Sequence, residues 1–274
     1  MSEAASGSAE TSKNGDGIWP YRLHHSLGQR TVIRQLHRWA KRHFSDQKRC
    51  KHQKLSDALL VALLLSRLVF KHSFPSIWWR ILREDRSGLP SYTQAYTRGL
   101  RLLNRLEAVA SPARRCTEVI IDSIPLPICR PKPGKRCAFP GIRWGFGTQG
   151  DVYGYKLHAW VTPEGEIVQY LLKPANLNDT TVSYELNRRW PEFGGPKIIG
   201  DKGYCCLGYV FPPKKNSRYD TGGREDRHPK LRKHIETVFS QLVEPQIRSV
   251  QTKTLAAFRF HVVLAVLAHN LAQP

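Results

Sequence analysis

The sequence predicts an α/β domain that follows a small, basic, all-helical region. Apolar residues recur at helical spacing between residues 21 and 112, and short β-branched runs begin after Ser111-Pro112. These runs and the helices between them follow the order strand, strand, strand, helix, strand. A chain of 274 residues, 41% of them hydrophobic, is long enough for one large domain or two moderate ones with a buried core.

Charge is the strongest compositional feature of the chain. The formal net charge is +21, which attracts polyanions and makes nucleic acid the expected partner. The segment Tyr21–Lys54 holds ten Lys or Arg and one acidic residue. It can be a solvated helical face or a nucleic-acid contact surface, and the overall charge favours the contact surface.

Membrane insertion and a cysteine framework are not expected. The longest apolar run, Ala58–Leu65, is far shorter than the roughly 20 residues of a spanning helix, and no signal peptide is visible. None of the six cysteines forms a Cys-x-x-Cys pair, so a zinc ribbon or disulfide framework is not predicted and a reducing cytoplasm fits.

The helical region, residues 21–112, follows a tail, residues 1–20, that is expected to be disordered because it has almost no large apolar side chains. Ser56 can cap the first clear helix, and three helices are predicted, over Ala58–Phe70, near Ser76–Arg83 and from about Ser91 to Val109. Their aromatic residues are expected in the core, and a helix-turn-helix is compatible with the pattern.

The strands after residue 112 are predicted from β-branched runs. The first, Glu118–Ser123, carries Asp122, and Pro125 and Pro127 are expected to end it. A loop rich in Pro, Gly, Lys and Arg follows, over Arg130–Arg143. The segments GYKLHAWV and IVQYLLKPA, joined by a turn at residues 163–166, complete an antiparallel meander.

A helix through about Trp190 follows the meander, with Asn178-Asp179-Thr180 as its cap. Next comes a short buried strand, KIIGD, that ends on Asp201, and GYVFPPKKN is expected to form a further strand. Two amphipathic helices close the chain, Leu231–Leu242 and about Leu255–Leu271.

Three carboxylates are candidates for one site: Asp122, Asp201 and Glu236. If they converge they repel one another, and divalent cations such as Mg²⁺ or Mn²⁺ remove that conflict. Two such ions can drive in-line phosphoryl transfer. Basic residues expected to hold DNA phosphates are Lys156, His158, Lys202, Lys214, Lys215 and Arg232.

Plainer interpretations of these residues remain open at this point. Each aspartate can be a turn or cap residue, and Glu236 can be a surface residue paired with Arg232 four positions earlier. By position, Asp179 is expected to cap its helix and not to bind a ligand.

The succession VIIDSIPLP, GYKLH, ANLNDT, IIGDKGY, PPKKN and LRKHIETVFSQL resembles bacterial insertion-sequence transposases of the DDE type, over roughly Lys54–Ala272. The resemblance implies a ribonuclease-H-like mixed sheet flanked by helices over residues 113–274. It implies that Asp122, Asp201 and Glu236 are the catalytic metal ligands, holding two Mg²⁺ or Mn²⁺ ions. It also implies cleavage at element ends and strand transfer into double-stranded target DNA, in the cytoplasm at the nucleoid, with a homodimer on DNA as one option.

Two features differ from the family pattern. Pro229 and Val243 stand where related enzymes often carry Tyr and Lys around the catalytic glutamate. Only Cys205–Leu207 separates the DKGY segment from the next predicted strand, whereas a parallel crossover takes about a dozen residues. Two alternatives therefore stay open: a catalytically decayed, transposase-derived DNA-binding protein and a structure-selective nuclease.

Overall fold

The fold is seen in a computed structural model that describes residues 28–44, 55–111, 116–129, 139–147, 150–189, 195–201, 204, 209–210, 228–243, 247 and 252–273. Among the described residues, five helices come before the first strand: α1 (Gln29–His43), α2 (Asp57–Val69), α3 (Pro75–Asp85), α4 (Tyr92–Arg101) and α5 (Leu103–Ala110). The described part of the chain continues with five strands and three helices: β1 (Glu118–Cys129), β2 (Arg143–Gly147), β3 (Gly150–Val161), β4 (Ile167–Pro174), α6 (Asp179–Arg188), β5 (Lys197–Ile199), α7 (His228–Val243) and α8 (Leu255–Ala272). The tail 1–20 and the expected domain boundary at residues 112–113 lie outside the described residues.

The helical region forms where capping residues and apolar runs predict it. The Ser56 hydroxyl accepts a hydrogen bond from the Leu59 amide and starts α2, which is buried along nearly its whole length. Ser91 and Gln94 form a capping box at the start of α4. Trp78 and Trp79 are buried, which confirms the expectation that they belong to the core.

The long helix expected over Ser91–Val109 is interrupted. The chain turns at Leu102, whose amide bonds to the carbonyl of Gly99 three residues earlier, and α5 starts at the next residue. Gly99 packs against the ring of Phe260 in α8, where a Cβ would lie 2.7 Å from the ring. A glycine in this contact weakens the helix where it meets α8, which accounts for the break.

The sheet has the mixed topology that the resemblance implies. Its strand order is β2-β3-β1-β5, with β4 also paired to β3. β3 is long, so it pairs along one side with β1 and on the other side with β2 and β4 end to end. All these pairs are antiparallel, whereas β5 is parallel to β1. The predicted meander and the predicted ribonuclease-H-like class are both confirmed.

The prolines of β1 do not end the strand, contrary to the expectation from sequence. Pro125 and Pro127 pair with Lys156 and Gly154 of β3. Among the described residues, β5 pairs only with Glu118–Ile120, so the rest of β1 has an open edge on that side. Proline is tolerated where its nitrogen faces such an edge, because no ladder hydrogen bond is lost there.

β2 is an additional strand that the sequence did not predict. It pairs with the first part of β3 and forms a hairpin, so that β3 begins at Gly150 instead of Gly154. Its sequence, RWGFG, has glycines at alternate positions and lacks the β-branched run that marks the other strands. Packing at the end of β4 accounts for the glycine in this strand, because a side chain on Gly145 would overlap the backbone of Ala175.

The short link after Asp201 is compatible with a parallel neighbour strand. Val210 forms a parallel bridge to Ile199, its amide bonding to Ile198 and its carbonyl accepting from Gly200, both at 2.9 Å. Val210, a residue of the GYVFPPKKN segment, thus lies beside β5, where a further strand was expected. The remainder of GYVFPPKKN lies outside the described residues.

Two layers of side chains cover the sheet. On the first face, Leu157 and Ala159 join the large core formed with α7, α8 and the N-terminal helices. On the second face, Ile121 and Trp160 join a smaller core with α6. Residues paired across antiparallel strands share a face, which allows each polar side chain below to be placed.

Helix α8 is buried on all sides, whereas an amphipathic helix was expected. Phe260 and the residues from Val262 to Ala268 are at most 3% exposed. The helix lies between the N-terminal helices and the sheet, which explains its high content of apolar residues. By length and hydropathy it could also cross a membrane, but 78% of the apolar window is buried inside the protein, as expected of a core helix.

Candidate active site

Asp122 and Asp201 are aligned by the register of two neighbouring parallel strands. Ile120 of β1 pairs with Ile199 of β5. Asp122 lies two residues after Ile120, and Asp201 lies two residues after Ile199. The side chains of both aspartates line one small cleft, together with Ile120, Ile121, Ile199, Gly200, Arg232 and Ile235. The sequence pattern of a β-branched run followed by aspartate therefore brings the two carboxylates together at the carboxyl end of β5, although β1 continues beyond Asp122 to Cys129.

Helix α7 closes this cleft and carries the third candidate carboxylate. Its apolar stripe, which includes Ile235, Val238 and Phe239, packs on the core, as the sequence predicted. Arg232 and Glu236 lie on the neighbouring face, with Arg232 Nη1 3.6 Å from Asp201 Oδ1 and Arg232 Nε 3.9 Å from Glu236 Oε1. The guanidinium thus lies between the second and third carboxylates.

Burial dominates the electrostatics of Asp122 and raises its pKa to about 6. The Ser123 amide, which donates a 2.7 Å hydrogen bond to Asp122 Oδ1, and the charge of Arg232 both lower this pKa. The carboxylates of Asp201 and Asp179 raise it again. Near pH 7 the site therefore holds a carboxylate whose charge is incompletely compensated.

The donor set suits a hard divalent cation. Carboxylate oxygens are the ligands that Mg²⁺ and Mn²⁺ prefer, and a cation beside Asp122 would offset its burial and its acidic neighbours. Within the described ranges, no three acidic, His or Cys side chains lie close enough to hold an ion in their present positions. Glu236 pairs with Arg232, so it would have to turn towards the aspartates to complete such a set.

A second polar cluster lies on the opposite face of the sheet. Asp179 Oδ1 is 3.3 Å from Lys156 Nζ, 3.3 Å from Ser123 Oγ and 3.7 Å from His158 Nδ1. Asn178, not Asp179, caps α6, because its side chain accepts the hydrogen bond from the Thr180 amide. The expectation that Asp179 is the cap is therefore wrong, and its carboxylate is the anion of this cluster.

Two residues expected to hold DNA phosphates belong to this cluster. His158 is 0% exposed, and burial lowers its pKa to about 4, so the ring is neutral near pH 7. A buried neutral ring does not reach a DNA phosphate, which corrects the expectation for His158. Lys156 is only 13% exposed and is paired with Asp179. Lys202, Lys214 and Lys215, expected in the same role, lie outside the described residues.

Sequence reasoning underrated Asp179, although a signal for it was present. Lys156 interrupts the apolar strand β3 and alternates with residues of the large core, so its ammonium faces the second side of the sheet. A lysine that is mostly buried on a strand requires an anionic partner. Asp179, at the start of the helix that covers that face, is the acidic residue in position to supply it.

Comparison with known protein families places the described strands and the last helices of the chain within one family model. The family model described as "Transposase DDE domain" matches residues 116–271, more than half of the chain and all of the sheet. None of the curated proteins and none of the solved structures compared with this chain matches it. The chain belongs to the family of transposases with a DDE domain.

Proposed function

We propose that the protein cuts DNA at the ends of a mobile element and transfers the freed strand into target DNA. The observation that carries the proposal is the register of β1 and β5, with which Asp122 and Asp201 line one cleft at the carboxyl end of β5. In the reaction, a water oxygen displaces the 3′-oxygen of the element end at a phosphorus atom. The freed 3′-hydroxyl then displaces an oxygen of the target strand in the same way.

Asp122, Asp201 and Glu236 would hold the metal through their carboxylate oxygens. Two Mg²⁺ or Mn²⁺ ions would activate the attacking oxygen and stabilise the leaving oxygen. The role of Asp122 is to present a rigid, charged oxygen, which the hydrogen bond from the Ser123 amide helps to orient. Arg232 would move from its carboxylate partners to a DNA phosphate.

Duplex DNA would be held by the basic helical region, in which α1 carries exposed cations. The helix has no acidic residue, and one side of it packs on the core through Val32, Leu36 and Trp39. The other side exposes a row of cations, Arg34, Arg38, Lys41 and Arg42. Like charges four residues apart destabilise a helix, so the row is better explained by contact with phosphates.

A cleavage assay tests the assignment of the three carboxylates. Plasmid DNA carrying the flanking ends of the element is incubated with protein and Mg²⁺, and nicking and strand transfer are followed on gels. Asp122→Asn, Asp201→Asn and Glu236→Gln should each lower cleavage at least about 100-fold, since a bound metal contributes several kcal/mol to the transition state. Glu84→Gln, which alters an exposed acid on α3, serves as the control.

DNA binding separates the catalytic role from a structural one. Gel-shift affinity for the same ends should stay close to that of the unaltered protein in all three variants, because the carboxylates add no attraction for phosphate. If cleavage survives in all three variants, the metal assignment is wrong. Cleavage without strand transfer and without preference for the ends would identify a structure-selective nuclease instead.

A second candidate function is a non-catalytic protein that occupies element ends. The position of Arg232 favours it, because a guanidinium 3.6 Å from Asp201 and 3.9 Å from Glu236 already neutralises the carboxylates that would bind metal. Such a protein would bind the ends with the same affinity in EDTA and in Mg²⁺ and would cut in neither. Any Mg²⁺-dependent nick that Asp122→Asn abolishes excludes it.

A further inference from the structure

Two aromatic side chains project into solvent from the β2–β3 hairpin. Phe146 is 83% exposed and Trp144 is 40% exposed, although both lie in a paired strand. Trp144 is supported from beneath by Tyr153, with ring centroids 5.0 Å apart. Large apolar side chains held on a strand and left open to water indicate a contact surface.

Both rings lie on the face of the sheet that carries Asp122. Trp144 pairs with Tyr153 of β3, and Asp122 pairs with Ala159 of the same strand. Positions 153 and 159 are an even number of residues apart, so their side chains and those of their partners share one face. Six residues of strand separate them, which is about 20 Å at 3.3–3.4 Å per residue.

The spacing of the two rings matches the stacking of nucleic-acid bases. Trp144 and Phe146 are two residues apart, so their attachment points are about 6.8 Å apart along β2. This is twice the 3.4 Å rise between stacked bases, which leaves room for one base between the rings. This spacing allows the two rings to form the walls of a slot for one base.

The chemistry around the slot favours a base over a second protein copy. Together the rings expose on the order of 250 Å², well below the roughly 800 Å² per partner of a stable protein interface. The net charge of +21 opposes self-association and attracts DNA. Asp151, exposed and paired with Phe146, would repel a phosphate but can accept a hydrogen bond from a base amino group.

We propose that Trp144 and Phe146 form a stacking slot for one unpaired DNA base, roughly 20–27 Å along β3 from the level of Asp122. The inference rests on the proposed function, because it assumes that the DNA being cut extends from the cleft at Asp122 to the far end of the β2–β3 hairpin. The slot would hold the DNA several nucleotides from the cleaved phosphate without reading its sequence, since every base has an aromatic face.

Fluorescence anisotropy with labelled DNA tests the slot. The probes are a 30-nucleotide single strand, the matching duplex and a duplex with one unpaired base. Trp144→Ala and Phe146→Ala should each weaken binding of the single strand and of the interrupted duplex roughly 5- to 100-fold, and binding of the perfect duplex much less. Phe146→Trp should keep the affinity, whereas Phe146→Leu, which retains bulk without an aromatic face, should lose it.

Tyr184→Ala is the matched control, because Tyr184 is an exposed aromatic residue, 51% accessible, on the helix that covers the other face. If Trp144→Ala and Phe146→Ala behave as Tyr184→Ala does, the slot is refuted. A protein that sediments as a dimer, becomes monomeric on Phe146→Ala and keeps its DNA affinity would show that a second copy covers the rings. Unaltered protein that neither binds nor cuts DNA would refute the proposed function itself.

Discussion

The guanidinium of Arg232 contacts the carboxylate of Asp201, with 3.6 Å between Nη1 and Oδ1. The same guanidinium is 3.9 Å from Glu236, so one cation of the protein lies between two carboxylates proposed to bind metal. All three side chains are substantially exposed, and exposed ion pairs contribute little to stability. The contact is therefore easily exchanged, and a divalent cation could replace it.

Removing this guanidinium should make metal binding tighter. In Arg232→Gln, Mn²⁺ no longer competes with a positive charge for Asp201 and Glu236, so its dissociation constant should fall several-fold in calorimetry. Arg188→Gln removes the same charge from an exposed position on α6 and should leave the constant unchanged. A weaker affinity for Mn²⁺ in Arg232→Gln would mean that Arg232 helps to form the metal site instead of competing with the metal.

Asp122 should make the metal-free protein less stable as the pH rises. Its pKa in the folded state is raised to about 6, so the folded protein binds more protons than the unfolded chain between roughly pH 4 and 6. Stability contributed by the protonated carboxyl is lost across that window. At pH 8 in EDTA, Asp122→Asn should therefore be more stable than the unaltered protein by about 2 kcal/mol, allowing for partial exposure.

Urea denaturation at pH 4 and pH 8 measures this effect. The difference between Asp122→Asn and the unaltered protein should be large at pH 8 and close to zero at pH 4. Asp151→Asn, at an exposed acid on β3, is the control for the loss of one negative charge. Mg²⁺ should raise the stability of the unaltered protein only, and equal stabilisation of Asp122→Asn would contradict the role of this carboxylate.

Strands that contain a run of apolar residues could be predicted from the sequence. Strands that form only through contacts with neighbouring strands could not. β5 and its terminal Asp201 could be predicted because an apolar pair precedes the carboxylate. β2 could not, because RWGFG forms a strand only through its pairing with β3 and the close fit of Gly145 against Ala175. The extension of β1 past Pro125 likewise depends on an open sheet edge, which no local pattern reveals.

The residues of the site also divide into those that a local sequence pattern predicts and those that only the folded structure brings together. Asp122 and Asp201 each follow a β-branched run, so parallel pairing of the two core strands could be expected to bring their side chains together. The partners of Asp179 depend on where α6 lies on the sheet, and neither Lys156 nor His158 is near it in sequence. Lys156 and His158, which were expected to contact DNA, therefore lie against Asp179 inside the protein.

Loss of the Asp179 carboxylate should destabilise the fold. Asp179→Asn leaves the mostly buried Lys156 ammonium without its anion, at a cost of about 2 kcal/mol in urea denaturation. The double variant Lys156→Met with Asp179→Asn should recover much of this loss, because no unpaired charge remains. Asp85→Asn, which breaks the exposed pair with Arg30, should cost less than about 1 kcal/mol. Additive losses in the double variant would show that the pair is not coupled.

Gly145 should be the position at which the β2–β3 hairpin is most sensitive to a small substitution. A methyl group there would overlap the Ala175 carbonyl, which is fixed by a 3.0 Å hydrogen bond from the Ala175 amide to Gly154. Gly145→Ala should therefore cost about 1–3 kcal/mol, as overpacking does in a core. Gly28→Ala, where a Cβ has no neighbour within 4 Å, should cost less. Hydrogen exchange should locate the change in β2 and the facing part of β3, and uniform protection across both strands would contradict the clash.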